Sequence, residues 1–245
     1  MNRLKVFGQF NDVEAFFSLK PEKTETLIPA IAGKLPAGEY FIKPWMVHGD
    51  HIQVIDAAFI NGPHPDVQGY PELADAERYF EVEDTDGLVT DLPGVAMVTT
   101  HGDCIPVYAY DPVMKVAGVA HAGWKGTRLG IAGKLISVMI SDFGCRPGNI
   151  SAFIGPGIDR CCFEVTEEVY IKFRDTAPWM SEFISAKDET HWLIDLKEIN
   201  RRFIELQGVA DIEVCPDCTC CLEDKYWSNR RSKDTGRMLA YIKLK

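Results

Sequence analysis

Nowhere does the sequence approach the roughly 18 consecutive apolar residues that a membrane-spanning helix requires, which argues against a membrane protein. The opening segment, MNRLKVFGQFNDVEAFF, has no extended apolar run and no small-residue cleavage pattern, so no secretory signal is expected. Positive charge is in deficit: 36 acidic against 26 basic residues leave a net charge of −10, which disfavours nucleic acid and acidic membranes as partners. A small anion held by a local group of cations remains compatible with that balance. Low-complexity linkers and internal repeats are absent too, and the 245 residues read as a single domain, 1–245. Histidine is scarce. Six residues with no His-x-His pair supply a multicopper centre poorly.

Cysteine, by contrast, is plentiful. Eight cysteines without a secretion signal point to reduced thiols in a cytoplasm, where metal binding or chemistry ranks ahead of a disulfide framework. Strands are expected at YFIKPWMV and IQVID, on either side of His48, followed by a Pro/Gly-rich loop at residues 61–71. GLVTD, VAMVTT, IPVYAY and VAGVAH read as further short strands. TRLGIAGKLISVMISDF reads as one amphipathic helix ending at Gly144, and LIDLKEINRRFIELQGV as a second ending at Gly208. SAFIGPGI starts as a strand, and the tail MLAYIKL returns to one. Several strands are joined by links too short for crossovers, which favours an α+β (mixed α/β) fold of mixed sheets over a parallel doubly wound sheet.

The segment TTHGDCIPVYAYDPVMKVAGVAHAGWKG, residues 99–126, carries the most chemistry. With Asp111–Met114 as a four-residue hairpin loop, Tyr110 faces Lys115 and Cys104 pairs with His121. Directly opposed residues share a face, so the thiol and imidazole could meet a common atom. Three readings follow: two core residues, a nucleophile activated by its base, or two ligands of one metal. The metal reading needs a third ligand, for which His48 leads, with His51 and His101 behind it. Asp103 is a proton acceptor, a partner that orients a metal ligand, or a solvated turn carboxylate. The C-x-x-C in CPDCTCC is a possible zinc half-site, but no second well-spaced pair completes it, and a packing or turn role is the other reading. Cys161 and Cys162 are read as structural as well.

DGLVT…VAMVTTHGDCIPV, VAHAGWKGTRLGI, IGPGIDRCCFEV and CT…YWSNRR…TGR, in this order, resemble the bacterial YfiH/YlmD-like family, formerly known as multicopper polyphenol oxidases or laccases. The resemblance covers roughly residues 40–243. It implies a single domain of mixed β-sheets flanked by helices, with one zinc ion held by His48, Cys104 and His121. It further implies a purine nucleoside phosphorylase: adenosine, inosine, guanosine and methylthioadenosine cleaved by phosphate, with adenosine deamination as an added activity; a monomer and a homodimer are both compatible with the sequence. In two places the sequence departs from the family. Lys20, in FFSLKPEKTE, stands where an arginine followed by Gly-Gly-x-Ser is usual, and Lys125 replaces the arginine of HAGWRG. Lysine keeps the charge but not the bidentate fork. Lys20, Lys125, Arg230 and Arg237 are therefore the candidates for binding phosphate, with Asp103, Cys104 and His121 as the catalytic set. A cysteine hydrolase or deamidase using Cys104 and His121 is the rival reading. Behind it stand a copper-dependent polyphenol oxidase, with copper in place of zinc, and a non-catalytic zinc module.

Overall fold

The computed structural model describes residues 3–20, 24–64, 73, 78–233 and 236–245. Its strands build two six-stranded mixed sheets laid face to face. The first contains β1 (Arg3–Val6), β2 (Val13–Ser18), β3 (Tyr40–Pro44), β5 (Tyr79–Val82), β7 (Val95–His101) and β15 (Met238–Leu244), in the order β1-β2-β15-β7-β3-β5. The second contains β4 (Ile52–Val54), β6 (Gly87–Thr90), β8 (Ile105–Asp111), β9 (Val116–Ala122), β10 (Ser151–Ile154) and β14 (Asp211–Val214), in the order β14-β10-β8-β9-β6-β4. A small antiparallel sheet of β11 (Glu164–Thr166), β12 (Ile184–Ala186) and β13 (His191–Ile194) stands apart, with α5 (Glu167–Arg174) directly after β11.

Helices cover both outer faces. Ile28 of α1 (Thr24–Ala32) packs on Phe16, Phe41, Val98 and Tyr241 of the first sheet. Leu135, Ile136 and Met139 of α4 (Ile131–Phe143), with Leu196 and Ile199 of α6 (Leu196–Glu205), pack on Val107, Ala109 and Ala120 of the second. Between the sheets lies a third cluster that includes Phe17, Met97, Ala240, Tyr108 and Val119. Every residue of β8, β9 and β15 is accordingly buried, because the inner strands are covered on both faces. That is why they read as continuous apolar runs rather than as alternation. Among the described residues no helix is long and apolar enough to cross a membrane.

Two local expectations are corrected. The helix read from Thr127 is two helices, α3 (Trp124–Arg128) and α4, because Gly130 takes φ +82, and a Cβ there would stand 2.9 Å from the Phe203 ring. The β8–β9 hairpin also turns one residue later than expected, which shifts its register by two positions. Asp111 stays in its strand opposite Val116, and its Oδ1 accepts the amides of Val113 and Met114 at 2.8 and 3.0 Å. The loop becomes residues 112–115, with Lys115 at φ +56. His121 therefore faces Pro106, and Cys104 stands diagonal to it instead of directly opposite. A shift of two positions preserves the face, so both side chains still point the same way. Of the loop read at residues 61–71, positions 65–71 lie outside the described residues; α2 (Ala57–Asn61) leads into it.

Candidate metal centre

Both Cys104 and His121 fall at one end of the second sheet, on the parity that turns toward the first: Tyr108 and Tyr110 share it on β8, Ala117 and Val119 on β9. His48 reaches them from the segment between β3 and β4, where the backbone takes φ +60. One ligand atom from each of these three side chains lies within 4.8 Å of the other two. The rings of His48 and His121 stand edge to face, 5.0 Å between centroids.

Asp86 holds the arrangement together; it opens the DGLVT block of the family resemblance, which by itself gives it no role. One residue before β6, it is completely buried, and its carbonyl accepts the His121 amide at 2.7 Å, continuing the β6–β9 ladder. Its Oδ1 is 2.9 Å from His121 Nδ1 and accepts the His48 amide at 3.0 Å. Oδ2 accepts the amides of Val47 and Gly49 at 3.1 and 2.7 Å. One carboxylate thus orients one ligand ring and fastens the turn that presents another. Because Nδ1 is engaged, His121 offers Nε2 to a metal.

The electrostatics are those of a mutually charged set. Burial would raise the Cys104 thiol, but the charge and hydrogen bonds of His121, then of His48, outweigh it and bring it down to about 6. Burial likewise opposes protonation of His121, yet the Cys104 thiolate and Asp86 push it up to about 9. Asp86 itself is held below the usual carboxylate range, its own burial being overcome by His121 and the Gly49 amide. A thiolate with two imidazoles is a donor set suited to zinc, and three protein ligands leave a coordination position open. The space is made by Gly123, where a Cβ would lie 2.9 Å from His48 Cδ2 and 3.3 Å from Cys104 Sγ. The residues present therefore fit a metal ion.

The other histidines go elsewhere. His101 is buried between Thr99 Oγ1, 2.8 Å from Nε2, and the Cys104 carbonyl, 3.0 Å from Nδ1. Burial and the nearby His121 hold its pKa well below the ordinary value. His51 contacts Thr85 Oγ1 and the Asp84 carbonyl, His64 stacks on Phe80, and His191 pairs with Asp188. No second histidine group forms among the described residues.

Above the three ligands opens a cleft of about 400 Å³. Trp124, Phe163, Ile158 and Leu196 give it apolar walls, and Arg230, Lys233 and Asn229 give it a polar rim. Asp103 also lines it, but not as a solvated turn carboxylate. At φ +95 and 8% exposure, it accepts Thr219 Oγ1 at 2.7 Å, Ser228 Oγ at 3.1 Å and the Arg230 amide at 2.7 Å. Arg230 in turn donates to the carbonyls of Cys162 and Glu164. Arg237 lies against Gly102 at the margin of the cleft. The two lysines nominated for phosphate are not in its lining: Lys20 sits 4.3 Å over the Trp227 ring and donates to the Glu223 carbonyl, while Lys125 is exposed beside Trp124. Lys233, which the sequence reading did not nominate, lines the cleft instead.

A Cys/His/His group able to hold a metal ion, at the end of paired mixed sheets, marks an α+β class of protein, and the comparisons give its family. The sequence model of the family described as "Multi-copper polyphenol oxidoreductase laccase" matches residues 22–245. The structure superposes on YlmD from Geobacillus stearothermophilus with a TM-score of 0.84 and 28% identity, covering 100% of this chain and 97% of that one. For the Bacillus licheniformis hypothetical protein YfiH the TM-score is 0.82 at 30% identity, covering 100% and 97%. The chain belongs to the YfiH/YlmD-like family. A curated relative, the "Purine nucleoside phosphorylase YlmD" of G. stearothermophilus, is 38% identical over 165 residues, which are 66% of this chain and 60% of the relative. The match thus spans less than two thirds of that relative's own length.

Proposed function

We propose that the chain is a zinc-dependent purine nucleoside phosphorylase. The observation that carries the reading is the convergence of His48, Cys104 and His121 beneath a cleft with aromatic walls and a cationic rim. It is supported by relatives bearing that name. Trp124 and Phe163 offer apolar faces to a purine. Arg230 and Lys233, both in the cleft lining, would bind phosphate and present it to the anomeric carbon of the sugar; of the four cations expected from sequence, Lys20, Lys125, Arg230 and Arg237, only Arg230 lies in that lining. His48, Cys104 and His121 would hold the zinc, which when bound would supply Lewis acidity toward charge developing on the departing base. Asp103 fixes the segment that carries Arg230. Of its roughly four lone-pair sites three are taken, which leaves one to accept a proton if adenosine is also deaminated.

The rival reading, with Cys104 as nucleophile, His121 as base and Asp86 as orienter, has the lowered thiol in its favour. It leaves His48 unexplained. A nucleophile needs one imidazole beside the sulfur, whereas a metal centre uses two.

Purified protein assayed with inosine and adenosine, with and without phosphate, separates the two. Phosphate-dependent release of free base together with ribose 1-phosphate, lost in Cys104→Ala, supports the phosphorylase. Cleavage that ignores phosphate, or full activity after metal removal, overturns it. Ammonia release from adenosine tests the added deaminase activity.

A further inference from the structure

Half of the eight cysteines gather at a place that the His48–Cys104–His121 centre does not use. The Sγ atoms of Cys161, Cys162, Cys218 and Cys221 all lie within 4.8 Å of one another. Cys161 to Cys162 and Cys161 to Cys221 are both 3.6 Å, and Cys162 to Cys221 is 3.4 Å. We infer that these four cysteines form a second metal site, a tetrathiolate centre for a thiophilic dication of which zinc is the first candidate.

The geometry suits it. Zinc–sulfur bonds near 2.3 Å in a tetrahedron place neighbouring sulfurs about 3.8 Å apart, close to the separations found. Cys218-x-x-Cys221 has the spacing of an ordinary zinc half-site, and the adjacent Cys161 and Cys162 complete it from another loop. Packing does not explain the cluster. Cys145 and Cys215 are buried and behave as small hydrophobes, whereas Cys161 and Cys221 are exposed and still turn toward the common point.

The surroundings suit a bound dication as well. Four thiols that bind one such ion release four protons and leave a centre of net charge −2. Two arginines are anchored on the loops that bear the ligands. Arg230 Nη1 donates to the Cys162 carbonyl at 3.0 Å, and Arg231 Nη1 to those of Thr219 and Cys220 at 2.9 Å each. The Asp159 amide points at Cys218 Sγ from 3.4 Å. These contacts place positive charge and a backbone donor where a thiolate cluster needs them.

The site joins two segments already paired near their base. Gly157 bridges Cys218, and the Thr219 amide donates to the Gly157 carbonyl at 3.0 Å. One segment carries Ile158 and Phe163 and the other leads to Asn229 and Arg230, all four in the wall of the cleft. The ion would clasp that wall from outside without entering the cleft.

Metal content after zinc reconstitution under reducing conditions tests the inference on the whole chain, whatever reaction it catalyses. The expectation is two equivalents of zinc in the wild type, one in Cys104→Ala, one in Cys221→Ser and one in Cys161→Ser. Cys220→Ser should retain two. With cobalt, the thiolate charge-transfer absorption should persist in Cys104→Ala and fall sharply in Cys221→Ser. Should Cys221→Ser not fold, the wild type and Cys161→Ser decide together. A single equivalent in the wild type overturns the inference, as does a second equivalent unaffected by Cys161→Ser. An intact mass two hydrogens light, restored by reductant and accompanied by no second metal, would make the cluster a disulfide and also overturn it.

Discussion

Asp86 and His121 face each other across the β6–β9 ladder, joined by a backbone hydrogen bond of 2.7 Å and by a carboxylate–imidazole contact of 2.9 Å. The same carboxylate accepts the amides of Val47, His48 and Gly49, so a single buried side chain sets the positions of two of the three ligands. Asp86→Asn replaces one oxygen with a donor, and either the His121 ring or the turn at His48 must lose its acceptor. Competition with a chromophoric chelator should show metal affinity weakened by about 10–100-fold, with the fold retained.

Gly123 leaves room for two ligands at once. In Gly123→Ala the new methyl would press on His48 Cδ2 and approach the Cys104 sulfur. Metal affinity is expected to drop by about 10-fold or more. Circular dichroism should remain that of the wild type, because the clash is confined to the two ligand side chains.

The metal-free protein should display the thiolate–imidazolium pair. Cys104, lowered to about 6, is ionised above that pH, and His121, raised to about 9, keeps its proton below that one. The stabilisation from Cys104 is therefore lost as pH falls through about 6, and that from His121 as pH rises through about 9. The folded pair is charged on both sides between those limits. Alkylation of Cys104 should rise with a midpoint near pH 6 in the metal-free protein, far below an ordinary thiol, and be suppressed once metal is added.

Phosphate should depend on the cations that the cleft contains. Lys233→Ala is expected to raise the phosphate KM about 10-fold, equivalent to about 1.4 kcal/mol of binding. Lys20→Ala and Lys125→Ala, at residues absent from the cleft lining, should leave it within about twofold. Steady-state kinetics at saturating inosine reads both.

Much of the fold is legible because local physics writes it. The apolar runs at Val95–His101, Ile105–Asp111 and Val116–Ala122 are strands, and Leu196–Glu205 is a helix opened by the Asp195 side chain on the Glu198 amide. The hairpin register differs from expectation by two positions, since whether Asp111 ends a strand or begins a loop depends on where its carboxylate finds donors. The parity argument survives that slip, because side chains on a strand repeat every two residues.

Short-range facts are written in the chain itself: which segments alternate or run apolar, where helices stop, and that His48, Cys104 and His121 lie in recognisable blocks. Which distant groups meet is settled in three dimensions. Asp86 reads as one more acidic residue in EDTDG until the β6–β9 pairing sets it against His121. Lys20 reads as a phosphate candidate by its place in the chain, and only the fold shows that it lies over Trp227. The cysteines of CCF and CTCC, about sixty positions apart, read as packing until two loops bring their sulfurs together. Periodicity acts over a few residues, whereas these contacts depend on chain segments meeting across loops whose course no local pattern encodes.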